Sequence, residues 1–96
     1  MEKPVANHKD AAKRARQSLV RRLRNRAYRT MMRNRIKAVR DAVASGNLEA
    51  AKTSFNAAMS TIHRIAGKGI IHRNQAARRI SRLNAAVKKL ALGAKA

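Results

Sequence analysis

The sequence predicts an all-α protein, a three-helix bundle whose long first helix projects from the bundle at its N-terminal end. Three observations point there. The 96 residues include 20 alanines, the best helix former, and a single proline at position 4. The four glycines, Gly46, Gly67, Gly69 and Gly93, leave long stretches unbroken between them. The larger apolar residues recur at intervals of three and four rather than alternating, and nothing longer than short runs such as Ile70-Ile71 suggests a strand.

Taken in order, residues 1–9 read as a tail and residues 10–44 as the first helix, with the Asp10 carboxylate capping its free amides. The cluster Ser45-Gly46-Asn47 then breaks the chain. The second helix, residues 47–66, opens on Asn47 as N-cap, with Glu49 near the positive end of the helix dipole. Ala51, Phe55, Ala58, Ile62 and Ile65 form one apolar stripe along it, with Leu48 and Met59 alongside, so this helix is the expected core element. After the turn Gly67-Lys68-Gly69, the third helix, residues 70–92, repeats the pattern with Ala76, Ile80, Leu83, Val87 and Leu90. Short loops between amphipathic helices imply antiparallel neighbours in one domain.

The first helix changes character along its length. Tyr28, Met31, Met32, Val39, Ala42 and Val43 fall within about 120° of one face at 100° per residue, which suits packing in a bundle. Leu19, Leu23 and Ala27, with Ala12 and Ala15, make a thinner strip pointing about 100 to 150° away. The two strips cannot serve one core. The N-terminal half is therefore expected to project, with residues 1 to about 25 partly disordered in the free protein, because ordering a residue costs about 1 to 2 kcal/mol and no core offsets it.

Charge narrows the function. Lysine and arginine number 24 against 4 acids, a formal net charge of +20. Repulsion of this size opposes compaction, so a polyanion is the expected environment of the chain. Arg22, Arg26, Arg29, Arg33, Lys37 and Arg40 lie within about 80° of one another and form a row about 27 Å long. Lys13, Arg14, Arg16, Arg21, Arg24 and Arg35 surround the row, giving twelve basic residues between Ala11 and Arg40 without one acid. A charge run is ordinarily a solvated face with compensating acids, and that condition fails here. Two cations about 6 Å apart repel by about 0.7 kcal/mol even in bulk water. Phosphates of a nucleic acid relieve this through charge-assisted hydrogen bonds, and released counterions add an entropic gain. A second row, Gln75, Arg78, Arg82 and Lys89 with Arg73, Arg79 and Lys88 at its sides, is expected on the outer face of the third helix.

Other classes fall away. No cysteine is present, which excludes a disulfide scaffold and thiolate metal sites, and basic residues interrupt every apolar stretch, so no membrane span is expected. A secretory signal is not expected either, for want of an apolar run near the N-terminus. Tyr28 and Phe55 are the only aromatic residues, too few for a base-stacking platform; Phe55 belongs to the core stripe and Tyr28 to the bundle edge. Met31, Met32 and Met59 are read as core filling. The acids Glu2, Asp10, Asp41 and Glu49 offer no convincing catalytic pair, and His8, His63 and His72 lack metal-ligand spacing. Gly67-Lys68-Gly69 lacks the spacing of a nucleotide-binding loop. No enzyme, metal, cofactor or small-molecule substrate is expected.

The run Ala6-Asn7-His8-Lys9-Asp10-Ala11-Ala12-Lys13-Arg14-Ala15-Arg16-Gln17 resembles the opening signature of the bacterial small-subunit ribosomal protein S-twenty family. The run from Lys68 to Leu83, with Gly69-Ile70-Ile71-His72-Arg73-Asn74-Gln75-Ala76-Ala77-Arg78-Arg79 within it, resembles that family's second signature, and the likeness covers residues 6–92. The resemblance implies a three-helix bundle with an extended first helix that binds 16S ribosomal RNA directly. The contacts it implies lie mainly in the RNA's 5′ domain, with a further one to the long helix near the 3′ end. It also implies a single copy in the cytoplasmic small ribosomal subunit and no enzymatic activity.

Carried over by position, Asn7, His8, Lys9, Lys13, Arg14 and Arg16 would enter the RNA at the tip of helix one, and His72, Arg73, Asn74, Arg78, Arg79 and Arg82 would line a second contact. Arg21, Arg22, Arg24, Arg26, Arg29, Arg33 and Lys37 of the basic row, and Lys68 of the turn, complete the expected RNA-binding set. The sequence departs from the family pattern where Asp10 replaces a usual serine, Arg73 a usual lysine and Ile80 a frequent lysine, and Met1 to Val5 form a short extension. Asp10 weakens the case for a phosphate contact there. The alternative left by charge alone is a bacterial DNA-compacting protein; a membrane-active amphipathic helix fits poorly, since helix one has no single wide apolar face.

Overall fold

The computed structural model describes the backbone from residue 4 to residue 95 and the side chains from residue 9 to residue 93. It contains three helices, α1 (Pro4–Ser45), α2 (Leu48–Gly67) and α3 (Arg73–Lys95), and no strand among the described residues. The first helix begins six residues before the expected cap. Pro4 has a fixed φ and no N–H to leave unpaired, and so suits a first turn, whereas Asp10 sits inside α1 as an exposed residue and caps nothing. The third helix starts later than expected, at Arg73, because the chain is still turning at Ile70 and Ile71.

Both turns are built from the same device. At the end of α1, the Gly46 amide donates to the Val43 carbonyl at 3.1 Å and the Asn47 amide to the Ala42 carbonyl at 3.2 Å. At the end of α2, the Gly69 amide donates to Ala66 at 3.0 Å and the Ile70 amide to Ile65 at 3.2 Å. These paired bonds are the Schellman closure, which satisfies the last carbonyls and needs a left-handed residue at its pivot. Gly46 and Gly69 supply it, with φ of 76° and 77°. Asn47 then caps α2, its side-chain oxygen accepting from the Ala50 amide at 3.1 Å.

The core is narrow and small-grained. Met32, Ile36, Val39 and Ala42 of α1 pack with Ala51, Ala58, Ile62 and Ile65 of α2 and with Ala76, Leu83 and Val87 of α3, and Ile71 of the second turn completes the cluster. Four of these twelve are alanines, which let helix backbones approach closely but bury little area each. Phe55, Ile80 and Leu90 lie at the margin, partly buried against the cluster, and Tyr28 closes its end. Thr61 is buried too, its hydroxyl donating to the Ala57 carbonyl at 2.9 Å. Two expectations need correction. Met31, 37% exposed, and Met59, half-buried and outside the core cluster, do not fill the core, whereas Ile36, only 6% exposed, takes a core place at the edge of the basic row.

Burial begins abruptly along α1. Every side chain from Lys9 to Arg24 is exposed, and Leu19, Val20 and Leu23 are among the most exposed apolar residues described. The molecule measures 77 × 21 × 14 Å with a radius of gyration of 19.9 Å, against about 12.5 Å for a compact chain of this length. Half of α1 is a spur.

Two measurements check this account. Gly69→Ala places a Cβ in the left-handed region and is expected to destabilise the protein by about 1 to 2 kcal/mol in urea unfolding. Gly67→Ala lies in helical backbone with nothing within 4 Å of the new Cβ, and is expected to be neutral or slightly stabilising. Equal losses from both would refute the turn assignment. Amide hydrogen exchange on the free protein should be fast from Lys9 to Arg24 and slow from Met32 to Ala42, since only the latter stretch has tertiary contacts. Uniform protection along α1 would contradict it.

Candidate nucleic-acid interface

The basic side chains fall into three regions. On the spur, Lys9, Lys13, Arg14, Arg16, Arg21, Arg22, Arg24 and Arg26 are exposed, with helix backbone fixing their spacing and no partner helix beside them. Asn7 and His8 belong to the backbone of α1, but their side chains lie outside the described residues. Further along, Lys37 donates to the Asp41 carboxylate at 3.4 Å, four residues on. Both side chains are largely exposed, so this ion pair is weak and readily exchanged for another anion. Asp10 and Asp41 are the acids within α1, against thirteen lysines and arginines.

The second region is the turn between α2 and α3, which is tied back onto α1. The Arg29 guanidinium donates to the Ile70 carbonyl at 3.4 Å, and the Lys68 ammonium sits 5.3 Å from the centre of the Tyr28 ring, within cation–π range. Tyr28 is thus covered by a cation and packed against the core, which leaves it in the structural place the sequence suggested. His72 closes the turn in a way the sequence did not reveal. Its carbonyl accepts from Ala76 at 3.0 Å and its Nδ1 accepts from the Asn74 amide at 3.0 Å, so it is the N-cap of α3. With Nδ1 used as an acceptor, the neutral ring carries its proton on Nε2, a free donor at the helix N-terminus. Arg73 and Asn74 stand exposed in the same first turn, where the helix dipole favours anions.

The third region is α3. Arg78 and Arg82 are exposed on its outer face, together with Lys88 and Lys89. Gln75 is not on the outer row where the sequence placed it, and Arg79, expected at the side of that row, lies next to it: both are half-buried and line a crevice with α1. On a helical wheel they lie between Leu83 and the outer basic row, a border that periodicity alone cannot assign. With Arg29, Arg33, Met32, Ile70 and Ile71 they line a crevice of about 360 Å³. The Nε of Arg79 is sealed from water and finds no hydrogen-bond partner among the described residues. Leaving such a donor unpaired costs about 1 to 3 kcal/mol.

None of this resembles a reaction centre. Among the described residues no group of three histidines, cysteines or acids is placed to hold a metal, and no helix is long and apolar enough to cross a membrane. What the surface can do is bind polyanions at several points along one elongated body.

Comparison with known proteins agrees on the kind of molecule. The sequence matches the family described as Ribosomal protein S20 across residues 6–88. It is 50% identical over 88 residues to the small ribosomal subunit protein bS20 of Helicobacter acinonychis, covering 92% of this chain and 99% of that one. The protein of the same name from Wolinella succinogenes is 50% identical over 86 residues, 90% of this chain and 94% of the relative. That of Desulfatibacillum aliphaticivorans is 46% identical over 87 residues, 91% and 99% of the two chains.

The capping role of His72 is separable from any ligand role. His72→Ala should lower stability by about 1 kcal/mol in urea unfolding, as loss of other N-cap side chains does, and His72→Asn should restore it. If the asparagine variant is as unstable as the alanine variant, the cap is not what His72 contributes.

Proposed function

This chain is a member of the ribosomal protein S20 family, and we propose that within the small ribosomal subunit it binds 16S ribosomal RNA directly, as an electrostatic strut between folded RNA elements. The family is one of structural ribosomal proteins, and the chain is not an enzyme. One observation carries the proposal: a helical rod of thirteen cations and two acids, half of it free of any protein neighbour. Such a rod repels itself in solution and is relieved by phosphate.

The residues divide by task. Lys9, Lys13, Arg14, Arg16, Arg21, Arg22, Arg24 and Arg26 thread the spur among RNA backbones; Asn7 and His8, by resemblance to the family signature, extend it. Arg29, Arg33, Lys68, His72, Arg73, Asn74 and Arg79 present a second surface at the α2–α3 turn. Arg78 and Arg82 form a third on α3, and Lys37 joins the first by releasing Asp41. These groups are nearly all guanidinium or ammonium on helix faces, so they position the protein on phosphates and read RNA shape rather than base identity. The protein acts as a single copy, because a net charge of +20 opposes self-association.

The proposal is tested by competition. A 16S ribosomal RNA fragment should displace duplex DNA from the protein by orders of magnitude at matched salt, and the protein should co-sediment with small subunits. If about eight phosphates are engaged, log affinity falls with log salt at a slope of about −6 to −7. Equal affinity for the two polymers would instead favour the DNA-compacting reading, and a slope near zero would remove the electrostatic basis altogether.

A further inference from the structure

Three arginines from two helices line the crevice between α1 and α3. Arg29 and Arg33 come from α1 and Arg79 from α3, with the Gln75 carboxamide beside them and Met32, Ile70 and Ile71 supplying apolar wall. No acid lines it. An isolated surface arginine swings into solvent, but here the Arg79 Nε is sealed in place without an acceptor, and Arg29 is partly held by the Ile70 carbonyl. The helices that carry these cations meet over a shorter stretch than either does with α2. The crevice thus carries three like charges at the least extensive helix contact of the bundle.

We propose that this crevice is a phosphate latch: a single phosphate group seated between Arg29, Arg33 and Arg79 fastens α3 to α1, so that occupancy stabilises the bundle itself as well as docking the protein. A carboxylate has two oxygens in one plane and suits one guanidinium fork. Three arginines from two helices lining one crevice without an acid suit the tetrahedral oxygens of a phosphate better than the two coplanar oxygens of a carboxylate. The source of the phosphate, the RNA backbone, rests on the function proposed above; the latch itself does not.

The test uses the full chain and two probes. Thermal unfolding in inorganic phosphate is compared with chloride at matched ionic strength, for the native protein and for Arg79→Gln, Arg33→Gln and Lys52→Gln. Lys52 is exposed on α2, away from the crevice, and removes the same charge. The midpoint of the native protein and of Lys52→Gln should rise with phosphate and saturate, and most of that rise should be lost in both crevice variants. In chloride, Arg79→Gln should unfold no earlier than the native protein, since it removes repulsion and an unpaired donor; if it fails to fold, Arg33→Gln, at a more exposed position, carries the comparison. Against a 16S ribosomal RNA fragment, each crevice variant should bind several-fold more weakly, with a salt slope shallower by about one. A phosphate-induced rise of equal size in Arg79→Gln and Lys52→Gln overturns the latch, whatever the RNA result. A lost rise with unchanged RNA affinity overturns the RNA backbone as its source and leaves free phosphate as the ligand. Absence of RNA binding in the native protein overturns the functional reading instead, and leaves the latch to the phosphate experiment.

Discussion

Mutual repulsion of basic side chains is the constraint around which the rest of the molecule is arranged. Helix α1 carries thirteen lysines and arginines and α3 seven, while α2, which lies against both, carries only two, Lys52 and Arg64, with Glu49 opposing them. The least cationic helix therefore separates the two most cationic ones. It is also the most continuously apolar, and contributes Ile62 and Ile65, two of the three largest fully buried side chains. Placing the hydrophobic element between the charged ones keeps most cations on outer faces, where water screens them.

The same constraint explains the molecule's length. A compact arrangement of α1 would fold its N-terminal half back over the bundle and bring its arginines against those of α3. The strip of Leu19, Leu23 and Ala27 is too narrow and too displaced from Met32, Ile36 and Val39 to drive that burial, so α1 continues straight into solvent. Hydrophobic area holds the C-terminal two-thirds together, and its absence sets the direction of the rest.

Most of this was legible in the sequence because it rests on local signals. The stripe through Ala51, Ala58, Ile62 and Ile65, the turns at Gly46 and at Gly67-Lys68-Gly69, the Asn47 cap and the change of apolar face along α1 depend on residues within a few turns of each other. What sequence did not disclose lies at borders between faces. Ile36 sits between the core and the basic row, and Gln75 and Arg79 between the core and the outer face of α3; on a wheel each belongs to either side, and only the approach of a neighbouring helix decides. Met31 erred in the opposite direction, close enough to the apolar sector by angle but beyond the reach of α2 and α3. Asp10 was misread because a side chain suited to capping was given more weight than a proline suited to a first turn. His72 escaped notice as a cap because an imidazole nitrogen is an uncommon acceptor in that role.

The spur and the turn region differ in how their cations are held, and this has a thermodynamic consequence. At the turn, Arg29, Lys68 and His72 are each tied to protein groups, a carbonyl, an aromatic ring and a backbone amide, before any ligand arrives. Under the proposed function, little rotamer entropy would remain to be lost when phosphate replaces or extends those contacts, so this surface would dock nearly as a rigid body. The spur has no such ties, so under the proposed function part of the attraction there would be spent on ordering its exposed side chains. One chain thus combines a foothold tied to its own protein groups with a helical arm that has no such ties. In that reading the foothold would fix orientation, and the arm would add cations along a line whose spacing the helix dictates.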